Sequence, residues 1–191
     1  MFLESQIDNP KRTGSIEVIC GSMFSGKTEE LLRRIKRAQI SKLKTILLKP
    51  NLDSRYNKED VVSHNKNKLS SIPIGNSQDI LPLVKGIDVI GIDEAQFIDK
   101  GLVKICDQLA NEGKRIIIAG LDMDYLGNPF GIMPHLLAIA ENIMKLHAIC
   151  IDCGNIANYT FRTISNDQLI KIGEHDSYKA LCRKCFLTNN I

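Results

Sequence analysis

Short apolar runs recur along the chain, each closed by glycine, proline or an acid and each followed by a segment of different rhythm. Ile16–Cys20, Thr45–Leu48 (ending at Pro50), Ile87–Asp93 and Arg115–Ala119 (ending at Gly120) are largely continuous rather than alternating, and Ile143–Ile149, interrupted by Lys145 and His147, reads as a last core strand. Strands of that kind are buried on both faces. Between them lie helical spacings. One runs from Thr28 to about Ser41, and Gly101–Asn111 carries Leu102, Ile105 and Leu109 ahead of a C-capping Gly113. Pro134 suits the first turn of a third helix through His135–Ala140. Strand and helix in alternation predict an α/β fold with a mostly parallel sheet. The polar stretch Asn51–Lys68 predicts a loop, and the chain beyond Cys150 is polar and β-prone with no helix signal. These features divide the chain into an N-terminal tail (1–14), an α/β core (15–149) and a small C-terminal unit (150–191).

The first strand runs into Gly21-Ser22-Met23-Phe24-Ser25-Gly26-Lys27-Thr28, which matches G-x-x-x-x-G-K-[ST] at every defined position. Strand before and helix after are the context in which that motif binds nucleotide. Glycines let successive N–H groups turn inward around phosphate oxygens, and the helix N-terminus adds a positive dipole end. Lys27 can reach the β- and γ-phosphates, while the Thr28 hydroxyl can serve Mg²⁺. A second strand, Val89-Ile90-Gly91-Ile92, ends in Asp93 and Glu94. Asp93 is placed to hold Mg²⁺, and Glu94 to act as general base near the γ-phosphate. Asp93-Glu94-Ala95-Gln96 also looks like a helicase box, but such motors need two tandem α/β domains and this chain has room for one.

Four of six cysteines form two C-x-x-C pairs, Cys150/Cys153 and Cys182/Cys185, with 28 residues (154 through 181) between them. Each pair puts two thiolates on one tight knuckle, and two knuckles close a tetrahedron, so the spacing predicts structural zinc. Cys20 and Cys106 sit in apolar surroundings and read as inert thiols.

The 191 residues are 43% hydrophobic and 25% charged, ordinary for a globular protein, and no apolar run is long enough to span a bilayer. The polar start lacks a signal-peptide core, which predicts a cytoplasmic enzyme. A net charge of +3 is too small to demand nucleic acid or an anionic membrane as partner. The contrasting function is a nucleic-acid-binding P-loop ATPase whose zinc knuckles grip single strands.

Several separated stretches together resemble the cellular-type (type II) thymidine kinases, which join an α/β P-loop domain to a zinc-anchored lasso. They are the P-loop itself, Asp53-Ser54-Arg55-Tyr56, Ile92-Asp93-Glu94-Ala95-Gln96-Phe97, Gly120-Leu121-Asp122-Met123-Asp124-Tyr125, Pro129-Phe130-Gly131, Tyr159-Thr160, and Tyr178 ahead of Cys182-Arg183-Lys184-Cys185. The resemblance implies Mg-ATP-dependent phosphorylation of the 5′-hydroxyl of thymidine, and of deoxyuridine, in pyrimidine deoxynucleoside salvage. Glu94 would take the hydroxyl proton, with Lys27 and Arg55 neutralising the transferring phosphoryl group. Asp53, Arg55 and Glu94 would face substrate. Met23, Phe97, Leu121, Tyr125, Phe130, Thr160 and Tyr178 would line the nucleoside pocket, and main-chain groups along Leu169, Ile170, Lys171, Ile172 and Gly173 would read the pyrimidine edge. In one departure from the family pattern, Gly173 is followed by Glu174 instead of a second glycine. The resemblance further implies a homotetramer inhibited by the end-product triphosphate.

Overall fold

The computed structural model describes residues 13–51, 60–62, 68–163 and 177–189. In chain order the elements are β1 (Ser15–Gly21), α1 (Lys27–Ile40), β2 (Thr45–Pro50), β3 (Asp60–Val62), β4 (Lys68–Ser70), β5 (Ile72–Ile74), α2 (Ile80–Leu83), β6 (Val89–Ile92), α3 (Gly101–Asn111), β7 (Arg115–Gly120) and α4 (Met133–Ile139). Then follow β8 (Asn142–Leu146), β9 (Ala148–Ile149), β10 (Ile156–Ala157), β11 (Tyr159–Arg162), β12 (Tyr178–Leu181) and α5 (Arg183–Asn189). Six strands form one sheet in the order β5-β2-β6-β7-β1-β8, and every pairing in it is parallel.

The continuous apolar strands are buried on both faces because successive side chains leave on opposite sides. Ile16, Val18 and Cys20 of β1 join Ile90 and Ile92 of β6 and Ile116 and Ile118 of β7 on one face. There they pack against Leu102, Ile105 and Leu109 of α3 and Met133 and Leu136 of α4. On the other face Ile19, Ile117 and Ala119 meet Leu31, Leu32, Ile35 and Ala38 of α1. The same alternation sends Glu17 to the α1 face. It is only 5% exposed and accepts hydrogen bonds from Arg34 Nη1 at 2.5 Å and Arg115 Nε at 2.6 Å. This pair lies away from solvent, whereas Arg33 in its contact with Glu30 keeps a side-chain exposure of 51%. Exposed pairs contribute well under about 1 kcal/mol, but removing one member of a buried pair costs about 3–5 kcal/mol. Glu17→Ala should therefore lower stability by about 3 kcal/mol in urea unfolding, while Arg33→Ala should leave it nearly unchanged.

Four features depart from the pattern read in the sequence. The run Ile143–Ile149 is not one core strand: β8 pairs with β1, but Ala148–Ile149 turns away to pair antiparallel with β10. β5 adds a parallel edge beside β2 in spite of Pro73, tolerable because an edge strand needs fewer ladder donors. Inside the expected loop lies β3, which pairs antiparallel with β4 at the loop's end; 52–59 and 63–67 lie outside the described residues. Beyond Cys150 a helix does occur, α5, whose buried anchor is Phe186. β11 pairs antiparallel with β12, and Tyr159 and Phe186 stack at 4.4 Å between centroids. They form a small core with Ala148, Cys150, Leu181 and Cys182.

Candidate active site

In a parallel sheet, ligands collect beyond the carboxyl ends of the strands. Here β1 and β6 are separated by β7 alone, so the loop after β1 and the acids after β6 open on the same edge. Gly21 leaves β1 at φ 141, and a Cβ there would fall 2.2 Å from the Leu146 carbonyl. Phe24 (φ 63) and Gly26 (φ 86) also take left-handed backbone, the conformation that turns consecutive amides inward into an anion-binding nest. Gly26 caps α1, whose N-terminal amides face the same space. Ser25 Oγ and Lys27 Nζ both donate to the Ser22 carbonyl at 2.8 Å.

Thr28 Oγ1 donates to Asp93 Oδ2 at 3.1 Å, tying the start of α1 to the end of β6. Asp93 is buried, and its carboxyl is pushed up to about 7, first by burial and then by the neighbouring Glu94 charge. Burial likewise lowers the Lys27 ammonium, against the opposing pull of Glu94, Asp93 and Asp122. A carboxyl pKa raised above its unfolded value keeps its proton only in the native state between those two pH values. Stability of the metal-free protein should therefore fall as pH rises from about 4 to 7, and Asp93→Asn should flatten that slope in urea titrations.

Glu94 takes left-handed backbone (φ 52, ψ 40), its N–H donating to Asp93 Oδ1 at 3.0 Å. Its side chain receives Gln96 Nε2 at 2.5 Å, and Gln96 Oε1 accepts the Leu121 N–H at 2.9 Å. Phe97 and Phe130 meet edge to face at 5.6 Å. Met23 N donates to Thr160 Oγ1 at 3.0 Å, joining the P-loop to β11. The Arg162 guanidinium lies 3.7 Å from the Tyr125 ring centre and 5.6 Å from that of Tyr178. The expected residues thus meet in three groups: the P-loop with Asp93, Glu94 and Thr160, to which Gln96 joins Leu121; Phe97 with Phe130; and Tyr125 with Tyr178 through Arg162. Asp53, Arg55, Leu169, Ile170, Lys171, Ile172, Gly173 and Glu174 lie outside the described residues.

Comparison of the whole chain with known proteins settles its ancestry: a sequence profile of the thymidine kinase family matches residues 14–186. The chain belongs to that family. A thymidine kinase of Bacteroides thetaiotaomicron is 54% identical over 187 residues, covering 98% of this chain and 94% of the relative. One from Porphyromonas gingivalis is 55% identical over 175 residues, 92% of this chain and 86% of the relative. One from Rhodothermus sp. is 53% identical over 173 residues, 91% and 81% of the two chains. Among solved structures, the flagellar accessory protein FlaH from Methanocaldococcus jannaschii is similar in fold, with a TM-score of 0.52 at 14% identity over 77% of this chain and 76% of that one.

The side chains offer two sets of metal donors. Thr28 and Asp93 offer adjacent hard oxygen donors, the set that suits Mg²⁺ with phosphate oxygens and water completing its shell. The Sγ atoms of Cys150, Cys153, Cys182 and Cys185 all lie within 4.8 Å of one another. Zn–S bonds of about 2.3 Å at tetrahedral angles place sulfurs about 3.8 Å apart, and Cys153 and Cys182 Sγ are 3.6 Å apart. Burial alone would push the Cys150 thiol up, but N–H groups of Cys182, Asp152 and Cys153 outweigh it and bring it down to about 6. The cluster is compatible with zinc.

Three buried side chains at this site carried no assigned role in the sequence: Gln96 and Asp122, though both belong to quoted motifs, and Arg162. The alternation Tyr159-Thr160-Phe161-Arg162 was the one available sign that Arg162 shares a face with Thr160.

Proposed function

We propose that the enzyme transfers the terminal phosphoryl group of Mg-ATP to the 5′-hydroxyl of thymidine, and of deoxyuridine, giving the 5′-monophosphate. The observation that carries the reading is a P-loop nest facing the Asp93–Glu94 strand end, in a chain of the thymidine kinase family. Glu94 accepts the hydroxyl proton as the sugar oxygen attacks the γ-phosphorus, and ADP departs within the nest of Gly21–Thr28. Lys27, placed at the loop by the Ser22 carbonyl, and Arg55 balance charge spreading over the transferring group. Thr28 and Asp93 would hold Mg²⁺, which supplies charge neutralisation across the β- and γ-phosphates.

The nucleoside lies between the loop carrying Leu121, Tyr125 and Phe130, the residues Met23 and Phe97, and the lasso residues Thr160 and Tyr178. Asp53 and the main chain of Leu169–Gly173 complete its contacts. A flat base between apolar walls with a few polar anchors is the usual economy of such sites. We assign residues 15–149 to the donor-binding core and 150–191 to the zinc-held lasso, with 1–14 outside both. The same reading makes it a cytoplasmic salvage enzyme. Among the described residues no helix is long and apolar enough to cross a membrane. Homotetramer assembly and inhibition by the end-product triphosphate belong to the same reading.

A nucleoside panel with labelled ATP and Mg²⁺ tests it. Thymidine monophosphate should accumulate and purine nucleosides should remain unphosphorylated. ATP hydrolysis that needs DNA or RNA, with no nucleotide product, would establish the nucleic-acid-dependent ATPase instead.

A further inference from the structure

The catalytic carboxylate must be held still, and the backbone at Glu94 alone does not do this. Its main chain is fixed by the bond to Asp93 and by the Phe97 N–H donating to its carbonyl at 3.1 Å, but these leave the side-chain torsions free. Among the described residues, the hydrogen bond that reaches the carboxylate comes from Gln96. From these contacts we infer that Gln96 is a positioning residue for the phosphoryl-transfer base, clamping the Glu94 carboxylate to the first residue of the nucleoside-pocket loop. The inference rests on Glu94 being that base.

Three observations carry it. The Leu121 N–H can only donate, so its partner must be the amide oxygen, and the amide NH₂ is left to donate to Glu94. Gln96 itself is buried, only 4% exposed, while Glu94 is half-buried, so losing either bond leaves a largely desolvated amide group on Gln96. Finally, glycine backbone makes room for this residue, for its side-chain amide at Gly120 and for its main chain at Gly131. A Cβ on Gly120 would lie 2.8 Å from Gln96 Oε1, and one on Gly131 would lie 2.6 Å from the Gln96 carbonyl. Two glycines that flank the pocket loop thus leave the space Gln96 occupies. The amide ties β6, through Glu94, to the end of β7, so the base and the wall beside the nucleoside share one anchor.

Displacement of a reacting group by about 1 Å costs about 10²-fold in rate. Gln96→Glu is nearly isosteric and keeps an acceptor for Leu121, but it sets an oxygen against Glu94. Gln96→Met keeps the volume and removes both bonds. Zinc-loaded full-length variants that melt near the parent should lose kcat by about 30- to 100-fold, with KM for thymidine and ATP within about threefold. In single turnovers at high enzyme concentration, adding Gln96→Met to Glu94→Gln should cost nothing further, because the clamp then has no base to place. A folded variant with kcat within about twofold of the parent would overturn the inference. So would a further loss of about 30-fold in the Glu94→Gln background, since Gln96 would then act independently of Glu94. If Glu94→Gln itself turns over like the parent, the assignment of the base has failed, and that outcome is read separately from the other two.

Discussion

Glu94→Gln is expected to reduce kcat by about 10³-fold while leaving ATP affinity within a few-fold of the parent. General-base removal costs about 10²–10⁴-fold in rate, or about 3–5 kcal/mol of barrier. A loss near the middle of that range applies because the neighbouring acids are engaged: Asp93 is buried and held by Thr28 and by the Glu94 amide, and Asp122 is paired with Lys145. The substituted amide is isosteric and neutral, so the nest of Gly21–Thr28 is untouched, and its contacts with the triphosphate do not involve position 94. Rapid-quench measurement of thymidine monophosphate together with titration of a non-hydrolysable ATP analogue separates the two effects. Parent-like turnover would place the base elsewhere.

Cys182→Ser should release the metal and unfasten the lasso. Cys182 is 8% exposed and belongs to the small core that also holds Tyr159, Leu181 and Phe186. It receives the Cys185 N–H at 3.5 Å, so its sulfur organises its own knuckle as well as the cluster. Zinc binding by four thiolates is worth about 10–16 kcal/mol at neutral pH, enough to decide whether a segment of this size is folded at all. Serine is a far poorer zinc ligand than thiolate. Metal content per chain should drop from one to near zero, and thymidine KM should rise by about tenfold or more. ATP affinity should follow only later, because its contacts lie in the core. Full zinc content in the variant would refute a four-thiolate site.

The core was legible because each buried parallel strand is a continuous apolar run. Gly101–Asn111 has the same limits in sequence and structure, and the strands Arg115–Gly120 and Thr45–Pro50 differ from their apolar runs by one or two residues at one end. Elements that earn burial through a single contact were not legible. α5 has Phe186 as its buried residue, so it shows no periodicity, and its first turns are disguised by the cysteine spacing. β5 is three residues long with proline at its centre. The break at His147 is invisible because apolar residues flank it on both sides, while the partner strand changes from β1 to β10.

At the site, spacing identified what binds phosphate, since a P-loop is a local device. It did not reveal that the Gln96 amide reaches back to Glu94, or that Arg162 lies across Tyr125. Those contacts depend on how β6, β7 and β11 stand beside one another. The Thr160 hydroxyl is similar: the resemblance places it beside the nucleoside, and its bond to Met23 adds a link with the phosphate loop.

That link makes the two halves of the reaction mechanically dependent. On the proposed placement of the nucleoside beside Thr160, an acceptor that displaces β11 should draw on the Met23 amide and distort the P-loop turn. Bulky acceptors should therefore weaken the grip on the donor, even though the two molecules touch only at the atoms exchanged between them.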